Sequence, residues 1–545
     1  MDSRSGGPIS TQRDDRQPNF VLICTDQHRA DFLGCGGHPV LRTPHIDALA
    51  GTGGLQFTRC YVASPQCMPN RATMMTGRLP SAHGARTNGI PLSRKANVFV
   101  DLLRAAGYRT ALIGKSHLQT MLPTPPDRIP VDVRARSSGR DSVFAQAWRP
   151  EPDGDYRRER PYSWRTTGGA LGANAYYGFE HVDLCTLHGD MVGGDYERWL
   201  RSQHHDAVRL RGRQAGLAHS YTCPQVWRTA LPEALYPTRY IQDQTLRWLK
   251  ANGPHRDGRP FFLMVSFPDP HHPFTPPGRY WDMYQPEDMP VPPSMRARVR
   301  MTPFLRHVKE HSRAPGANEY HALAVSEREA QEAMALTCGM VAMIDDAVGA
   351  ISEALRSQGL DRNTVVMFTS DHGDLMGDHG MLLKGPFHYQ GLVRVPFIWN
   401  DPSSRAAPGR RFDKLTGTVD IAPTILARAG IRPFHGMQGR DVMTAVRHPD
   451  APWRTALLIE EEQHDGVLGS VGPLRVRTLM TERYRLTIYS GHRWGELYDL
   501  EKDPYELDNQ WDSDGAQSLR ADLIAELAHL QMETVDPIPL PESLG

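Results

Sequence analysis

The hydrophobic positions of the chain gather in four short runs that are rich in β-branched or aromatic residues. These runs cover residues 19–25, 109–113, 260–267 and 364–370. Continuous apolar runs of this length are typical of strands buried on both faces of a parallel sheet. Helical patterns precede two of them, over 98–106 and 333–358. The alternation of strands and helices predicts an α/β fold with a large, mostly parallel central sheet flanked by helices.

Each predicted strand runs directly into polar residues that are capable of chemistry. Asp26 and Gln27 follow the first run, Lys115 and His117 the second, Asp269 and His271 the third, and Asp371 and His372 the fourth. In open α/β sheets, ligands bind outside the carboxyl ends of the strands. The pattern therefore predicts an active site at one edge of the sheet.

The remaining segments predict how the chain is divided. Residues 119–240 and 270–320 have weak periodicity and many Pro residues, which indicates elaborations that shape a pocket. Strand patterns over 456–462 and 484–489, followed by an amphipathic helix over 516–532, predict a small C-terminal α+β subdomain. We expect a disordered lead over 1–18, a catalytic domain over 19–444 and this subdomain over 445–545.

Charge and composition exclude several classes of protein. The chain has 62 basic and 62 acidic side chains, so its formal net charge is zero. This balance argues against a nucleic-acid-binding protein and against a polybasic membrane-surface protein. No apolar run approaches the length of a transmembrane helix, and the N-terminus has no apolar segment typical of a secretory signal. We therefore expect a cytoplasmic protein that has no membrane partner.

One of the seven cysteines, Cys67, lies in a distinctive segment, while the odd count and the lack of a Cys-x-x-Cys pair argue against a disulfide framework. The segment 64–78 reads SPQCMPNRATMMTGR, and Pro69 suits the first turn of a helix. Backbone N–H groups and the helix dipole stabilise an anion at this point, and Arg71 follows one turn later. A thiol here is acidified and reactive. A lone cysteine beside such a proline also fits a buried, inert thiol.

The pattern Cys67-x-Pro69-x-Arg71, followed by TGR at 76–78, resembles the signature of the type I sulfatases. These formylglycine-dependent enzymes belong to the alkaline phosphatase superfamily. In that family, a formylglycine-generating enzyme oxidises the cysteine to an aldehyde, and the hydrated aldehyde supplies a gem-diol nucleophile. The resemblance implies this conversion at Cys67. Two positions differ from the commonest form of the signature, since Met68 and Asn70 stand where small residues are usual.

The resemblance extends over most of the chain. It includes the segment 19–34 around Asp26, the Lys115-x-His117 pair, the segment 266–274, the segment 369–385 with Lys384, and the segment 496–506. The Pro-His-x-Pro pattern of the family selects His271 rather than His272. The resemblance implies an alkaline-phosphatase-like sandwich with a small C-terminal α+β subdomain.

The same resemblance implies a metal site. Its expected ligands are Asp26, Gln27, the modified Cys67, Asp371 and His372. Carboxylate and amide oxygens suit Ca²⁺, Mg²⁺ or Mn²⁺, and the imidazole nitrogen shifts the preference towards Mn²⁺. We expect one divalent cation, Ca²⁺ first, with Mn²⁺ and Mg²⁺ as alternatives. The family usually has Asp at the position of Gln27 and often Asn at that of His372, and these differences resemble phosphonate monoester hydrolases and choline sulfatases.

The resemblance also implies a catalytic mechanism. The residues involved are Cys67, Arg71, Lys115, His117, His271 and Lys384. Arg71 and the metal orient the diol, and one of its hydroxyls attacks the sulfur of a sulfate ester. Lys115, His271 and Lys384 neutralise charge on the transferring group, and His271 or Lys384 protonates the leaving oxygen. His117 then accepts the proton of the second hydroxyl, sulfate leaves and the aldehyde re-forms.

Two further residues are expected to contact the substrate. Asn88 lies in the loop after the signature, and His388 follows Lys384. The expected partners are a small-molecule sulfate ester and the formylglycine-generating enzyme, and assembly into a homo-oligomer is compatible with the sequence.

Two alternative functions stay open at this point. A phosphonate monoester or phosphodiester hydrolase would use the same nucleophile, and Gln27 and His372 favour it. The Lys115-x-His117 pair favours the sulfatase, because phosphonate hydrolases have Tyr and Thr there. A non-catalytic anion-binding protein is the third interpretation, and the retention of all the expected site residues argues against it.

Overall fold

The apolar runs of the sequence form neighbouring strands of one large sheet in the computed structural model. Its strands are β1 (Asn19–Thr25), β2 (Gly54–Tyr61), β3 (Arg109–Lys115), β4 (His181–Thr186), β5 (Gly193–Gly194), β6 (Phe261–Ser266), β7 (Thr364–Ser370), β8 (Arg394–Asn400), β9 (Arg410–Phe412) and β10 (Thr416–Gly417). Their order is β10-β2-β8-β7-β1-β6-β3-β4-β5, and β9 pairs with β2. The five strands from β7 to β4 are parallel, whereas β8 and β5 are antiparallel to their neighbours. The α/β fold with a mostly parallel sheet is confirmed.

The structure describes most of the chain. The described residues are 17–51, 53–122, 147, 156–161, 176–203, 206–253, 257–297, 300–313, 322–404, 409–463, 474–541 and 543. Nearly all of the expected disordered lead over 1–18, and much of the first expected elaboration, lie outside these residues.

Helices cover both faces of the large sheet because its strands are apolar on both sides. Along β1, Val21 and Ile23 face one core, and Phe20, Leu22 and Cys24 face the other. The described helices are α1 (Pro44–Gly51), α2 (Cys67–Thr76), α3 (Pro80–His83), α4 (Phe99–Ala105), α5 (Asp195–Gln203), α6 (Pro237–Asn252), α7 (Pro293–Arg296), α8 (Pro303–His311), α9 (Glu327–Ser357), α10 (Gln390–Val393), α11 (Ile421–Arg428), α12 (Val442–Arg447) and α13 (Gln517–Glu533). Helices α1, α5, α6 and α9 contribute to the first core, and α2, α4, α11 and α12 contribute to the second.

The long helix α9 begins six residues earlier than the apolar pattern indicates. Ser326 and Glu329 form a capping box at its start, in which each side chain accepts a hydrogen bond from the other residue's backbone N–H. The helix is long and apolar enough to cross a membrane by length and composition alone. Most of its apolar stretch, however, is buried inside the protein. Packing in the core of the large sheet therefore accounts for its apolar character.

A second sheet follows near the C-terminus. It is antiparallel, with the order β11 (Ala456–Gln463), β12 (Leu474–Thr481), β13 (Tyr484–Tyr489) and β14 (Gly495–Asp499). Helix α13 packs on this sheet through Leu523 and Leu527. Strand β11 is joined to the segment before α2, because the backbone N–H of Glu460 donates to the carbonyl of Ala63. The boundary at residue 445 stays a prediction, and it falls within α12.

Candidate active site

The carboxyl ends of adjacent parallel strands bring the chemically capable residues together. Asp26 follows β1, Asp371 follows β7, Lys115 ends β3 and His271 follows β6. All four side chains are buried. The ammonium group of Lys115 contacts the Asp26 carboxylate directly. The sheet edge that the sequence indicates is therefore where these residues meet in the structure.

Cys67 is the first residue of α2, whereas the sequence predicts that it lies just before the helix, and the extended residue Gln66 is the N-cap. Its Sγ atom lies 3.1 Å from Nε2 of His372 and 3.3 Å from Nζ of Lys384. Oδ1 of Asp26 is 3.8 Å from the same sulfur. The thiol therefore lies at the start of a buried helix, among cationic and acidic groups.

Hydrogen bonds of neighbouring side chains fix the start of α2. The backbone N–H of Met68 donates to Oδ1 of Asn88 at 3.0 Å, which satisfies one of the free N–H groups of the helix. The backbone N–H of Asn88 donates in turn to Oε1 of Gln66 at 2.9 Å. Asn70 accepts a hydrogen bond from the backbone of Ala63 at 3.0 Å and donates to the carbonyl of Asp371. The unusual Asn70 thus joins the helix to a proposed metal ligand.

The surrounding charges make the Cys67 thiol acidic. Burial and the Asp26 carboxylate raise the pKa of this thiol, but the cations Lys384 and Lys115, with His372, outweigh them and bring the pKa below its ordinary value. Burial raises the pKa of each of the other six cysteines. Cys67 is therefore the cysteine of this chain whose environment favours an anion.

Arg71 holds the two metal-site carboxylates in place. Its Nε atom lies 2.7 Å from Oδ2 of Asp371, and its Nη2 atom lies 3.5 Å from Oδ2 of Asp26. Nη1 donates to the carbonyl of Lys115 at 3.0 Å and to Oγ of Ser266 at 2.9 Å. All of these groups are buried, so the guanidinium neutralises charge that water does not reach.

Four residues offer ligand atoms at one point. The ligand atoms of Asp26, Cys67, Asp371 and His372 all lie within 4.8 Å of one another. Gln27 adopts a left-handed backbone with φ of 60°, and its Oε1 accepts a hydrogen bond from Lys384 at 3.3 Å. Two buried carboxylates, an amide oxygen and an imidazole fit a divalent cation that prefers oxygen ligands.

Lys384 contacts the thiol, the proposed metal ligands Gln27 and His372, and His271. Nζ of Lys384 is 2.9 Å from Nε2 of His271, and Nδ1 of His271 is 2.5 Å from the carbonyl oxygen of His272. An ammonium only donates and a carbonyl only accepts, so this His271 ring is neutral with its proton on Nδ1. Burial, and then His188 and Lys384, also bring the pKa of His271 well below its ordinary value.

His117 has a strained backbone and a free ring nitrogen. Its φ is 56°, and its backbone N–H donates to Oε2 of Glu159 at 2.7 Å. The buried Nδ1 atom has no hydrogen-bond partner among the described residues. Burial, and then Lys115 and Arg71, bring the pKa of His117 well below its ordinary value, so the ring is neutral and able to accept a proton.

The two residues expected to contact the substrate, Asn88 and His388, both have hydrogen-bond partners within the protein. Asn88 is an exposed residue, but its side-chain oxygen Oδ1 accepts the hydrogen bond from the backbone N–H of Met68 at the start of α2. His388 is fully buried, with Nδ1 2.8 Å from Oγ1 of Thr478 and Nε2 2.9 Å from Oε2 of Glu461. Both ring nitrogens of His388 thus contact the C-terminal sheet. Strands β11 and β12 cover this ring, which favours a structural role, and the substrate contacts expected of Asn88 and His388 stay predictions.

Two residues of the site, His188 and Asp374, were not predicted from the sequence. His188 follows β4, and its Nε2 atom lies 2.6 Å from Nζ of Lys115. Its ring stacks on that of His271. Asp374 is fully buried and accepts a hydrogen bond from Nε2 of Gln27 at 2.5 Å. Asp374 lies within the segment around Asp371 and His372, so its position was a usable signal. His188 follows a strand in the same way as Asp26, but β4 lacks the long apolar run that marks the other strands.

Comparison with known proteins gives a consistent result. A family model described as Sulfatase matches residues 18–431, and one described as N-sulphoglucosamine sulphohydrolase, C-terminal, matches residues 377–533. An arylsulfatase of Clostridium perfringens is 29% identical over 94% of both chains. A multifunctional protein of the alkaline phosphatase superfamily from Trinickia caryophylli is 27% identical over 90% of both chains. The crystal structure of the phosphonate monoester hydrolase of Agrobacterium radiobacter is 25% identical, with a TM-score of 0.73 over 96% of this chain and 98% of that chain.

Proposed function

Because the chain belongs to the sulfatase family of the alkaline phosphatase superfamily, and is thus a sulfuric ester hydrolase, we propose that a formylglycine at position 67 supplies its nucleophile. The observation that carries this proposal is the position of Cys67 at the buried start of α2, with Lys384 and His372 within 3.3 Å of its sulfur. A separate formylglycine-generating enzyme would oxidise the thiol. The hydrated aldehyde then carries two hydroxyl groups on one carbon.

The metal ligands of the proposal are Asp26, the amide oxygen of Gln27, the modified Cys67, Asp371 and His372. The two carboxylates are fully buried, and a cation among them reduces the cost of their burial. A bound divalent cation stabilises negative charge on oxygen atoms and favours the ionised form of a hydroxyl. The oxygen-rich donor set supports Ca²⁺, with Mg²⁺ as an alternative, and the imidazole of His372 keeps Mn²⁺ as another.

The first chemical step transfers the sulfuryl group to residue 67. One hydroxyl of the diol forms a bond to sulfur while the bond between sulfur and the leaving oxygen breaks. Lys115 and Lys384 neutralise charge on the transferring group. The leaving oxygen needs a proton, and Lys384 is the donor in this proposal, because the neutral His271 accepts from it at 2.9 Å. His271 then holds the donor in position.

The second step releases sulfate. His117 accepts the proton of the second hydroxyl through its free Nδ1, the C–O bond to sulfate breaks and the aldehyde re-forms. Water adds to the aldehyde and restores the diol, so that an ester and water give an alcohol and sulfate. A serine at position 67 would lack the second hydroxyl, and its sulfate ester would depend on attack by water.

The test is turnover of an activated aryl sulfate by protein made with the formylglycine-generating enzyme. We expect turnover by the wild-type chain, and a single burst without further turnover by Cys67→Ser, because serine forms the ester and fails to release it. Cys67→Ala should give neither. Continued turnover by Cys67→Ala, on an aryl sulfate that no other enzyme in the preparation cleaves, would overturn the proposal.

Phosphonate monoester hydrolysis is the second candidate function. Gln27 and His372 favour it, because both differ from the common sulfatase pattern in the way that resembles phosphonate monoester hydrolases. The likeness to the phosphonate monoester hydrolase of Agrobacterium radiobacter also favours it. The discriminating measurement is kcat/KM for an aryl sulfate and for an aryl phosphonate monoester on one preparation. A higher value for the phosphonate would reverse the order of the two functions.

A further inference from the structure

His188 contacts two residues of the proposed catalytic machinery, although the mechanism gives it no step. Its ring is parallel to that of His271, with ring centres 3.5 Å apart and an angle of 9° between the planes. Its Nε2 atom lies 2.6 Å from Nζ of Lys115 and 3.7 Å from Oδ2 of Asp26. The side chain is 19% exposed, while those of Lys115 and Asp26 are 0% exposed. His188 therefore lies on the solvent side of these groups.

The turn that carries His188 is packed against the segment that carries His271. Gly189 has φ of 53°, and a Cβ atom there would lie 2.7 Å from Cγ of Pro273. The next residue, Asp190, is fully buried, and its backbone N–H donates to Oγ1 of Thr275 at 3.3 Å. Its carboxylate accepts hydrogen bonds from Trp227, Thr229 and Gly212. The turn thus has little freedom to move relative to His271.

The contact with Lys115 sets the direction of one ammonium group. A lysine ammonium has three N–H donors and no acceptor, so Nε2 of His188 accepts and is unprotonated in this arrangement. One donor of Lys115 faces Asp26, and a second faces His188. No acceptor within the described part of the chain faces the third N–H. Its direction follows from the other two, and the transferring sulfuryl group is the anion for which the proposed mechanism needs it.

We propose that His188 is a positioning residue, which aims the third N–H of Lys115 at the transferring group and supports the ring of His271 by stacking. This inference rests on the proposed function. It requires no proton transfer by His188. Preorganised donors of this kind act on the transition state, so loss of His188 affects kcat more than KM.

Two variants separate the acceptor from the ring. His188→Phe keeps a flat ring over His271 and removes the acceptor, whereas His188→Gln keeps an acceptor and removes the ring. We expect His188→Phe to lower kcat by about tenfold to a hundredfold, because displacement of a reacting group by about 1 Å costs up to about a hundredfold. KM should change little. His188→Gln should recover a large part of the loss, and His181→Phe, an exposed histidine at the start of β4, is the matched control.

A double-mutant cycle with Lys115→Met tests whether His188 acts through Lys115. The loss caused by His188→Phe should vanish in the Lys115→Met background, because there is no ammonium left to aim. An equal loss in both backgrounds, or wild-type kcat in His188→Phe, would overturn the inference. Melting temperatures of the variants identify any that fail to fold, and His188→Gln keeps the test decisive if His188→Phe unfolds. An inactive wild-type chain with formylglycine at position 67 would instead contradict the proposed function.

Discussion

The sulfur of Cys67 lies 3.3 Å from Nζ of Lys384, and the same ammonium lies 2.9 Å from Nε2 of His271. One cation thus contacts both Cys67 and His271. In the proposed mechanism, this lysine both favours an anion at position 67 and supplies the proton of the leaving oxygen. It also makes the role of Lys384 separable by experiment.

The loss of kcat caused by Lys384→Met should depend strongly on the leaving group of the substrate. We expect a loss of kcat of about a hundredfold or more for a phenyl sulfate, whose leaving oxygen needs a proton, because general acid catalysis contributes about 10²–10⁴-fold. A nitrophenyl sulfate should lose less, since nitrophenolate leaves without a proton. Kinetics on a series of substituted aryl sulfates measures the difference. Equal losses across the series would contradict the proton-donor role, and Lys250→Met, on the exposed side of α6, is the control.

The unmodified thiol of Cys67 allows a test of whether the nearby cations lower its pKa. In protein made without the formylglycine-generating enzyme, iodoacetamide should alkylate Cys67 with a pH midpoint below the ordinary value of 9.0, because Lys384, Lys115 and His372 lower its pKa. The reaction should slow as the pH falls through this midpoint and the thiolate gains a proton. Lys384→Met removes one of the cations and should move the midpoint upwards. Peptide mapping measures the rate at each pH, and an unmoved midpoint would contradict this account.

Removal of the metal should lower both activity and stability. Chelation leaves the carboxylates of Asp26 and Asp371 with Arg71 and Lys115 as counter-charges, and we expect turnover to stop. A cation that binds only the folded state raises the free energy of unfolding by about 2.7 kcal/mol at a hundredfold excess over its Kd. Thermal unfolding with Ca²⁺, Mn²⁺ or Mg²⁺ measures this gain. Asp371→Asn should lose most of it, and the exposed Asp522→Asn should keep it. Full turnover in excess chelator would contradict the metal site.

His388 should behave as a structural residue. His388→Ala leaves the buried carboxylate of Glu461 without one of its partners, and an unsatisfied buried group costs about 1–3 kcal/mol. We therefore expect a lower free energy of unfolding with little change in KM. Denaturant unfolding and steady-state kinetics on the same variant check both statements. A raised KM with unchanged stability would instead support the substrate contact that the sequence predicts, and the exposed His435→Ala is the control.

The strands that deliver the site were predictable because they are buried on both faces. Their apolar runs can be identified without knowing which strands pair with them. The site residues come directly after the strands, as Asp26 follows β1 and Asp371 follows β7. The position of Cys67 at a helix start was predictable for a different reason, since Pro69 is typical of a first helical turn, whereas its role as nucleophile rests on the resemblance to the sulfatase signature and stays a prediction. In both cases the signal is local in the sequence.

The contacts of His188 and His388 were not predictable because they depend on distant parts of the chain. Nε2 of His388 contacts Glu461, which lies 73 residues later in the sequence. Nothing near His388 in the sequence indicates that β11 covers its ring. His188 contacts Lys115, which lies 73 residues earlier in the sequence. The turn that carries His188 packs against Pro273 and Thr275. Residues fixed by tertiary packing rather than by a strand end or a helix start need the structure.

The most direct test of the central claim is the relation between formylglycine content and turnover. Preparations with different amounts of the formylglycine-generating enzyme give different fractions of aldehyde at position 67, which peptide mass spectrometry measures. We predict that turnover of an aryl sulfate rises in proportion to that fraction and extrapolates to zero where every chain keeps the thiol of Cys67. Undiminished turnover by chains with an unmodified thiol would contradict the proposed nucleophile.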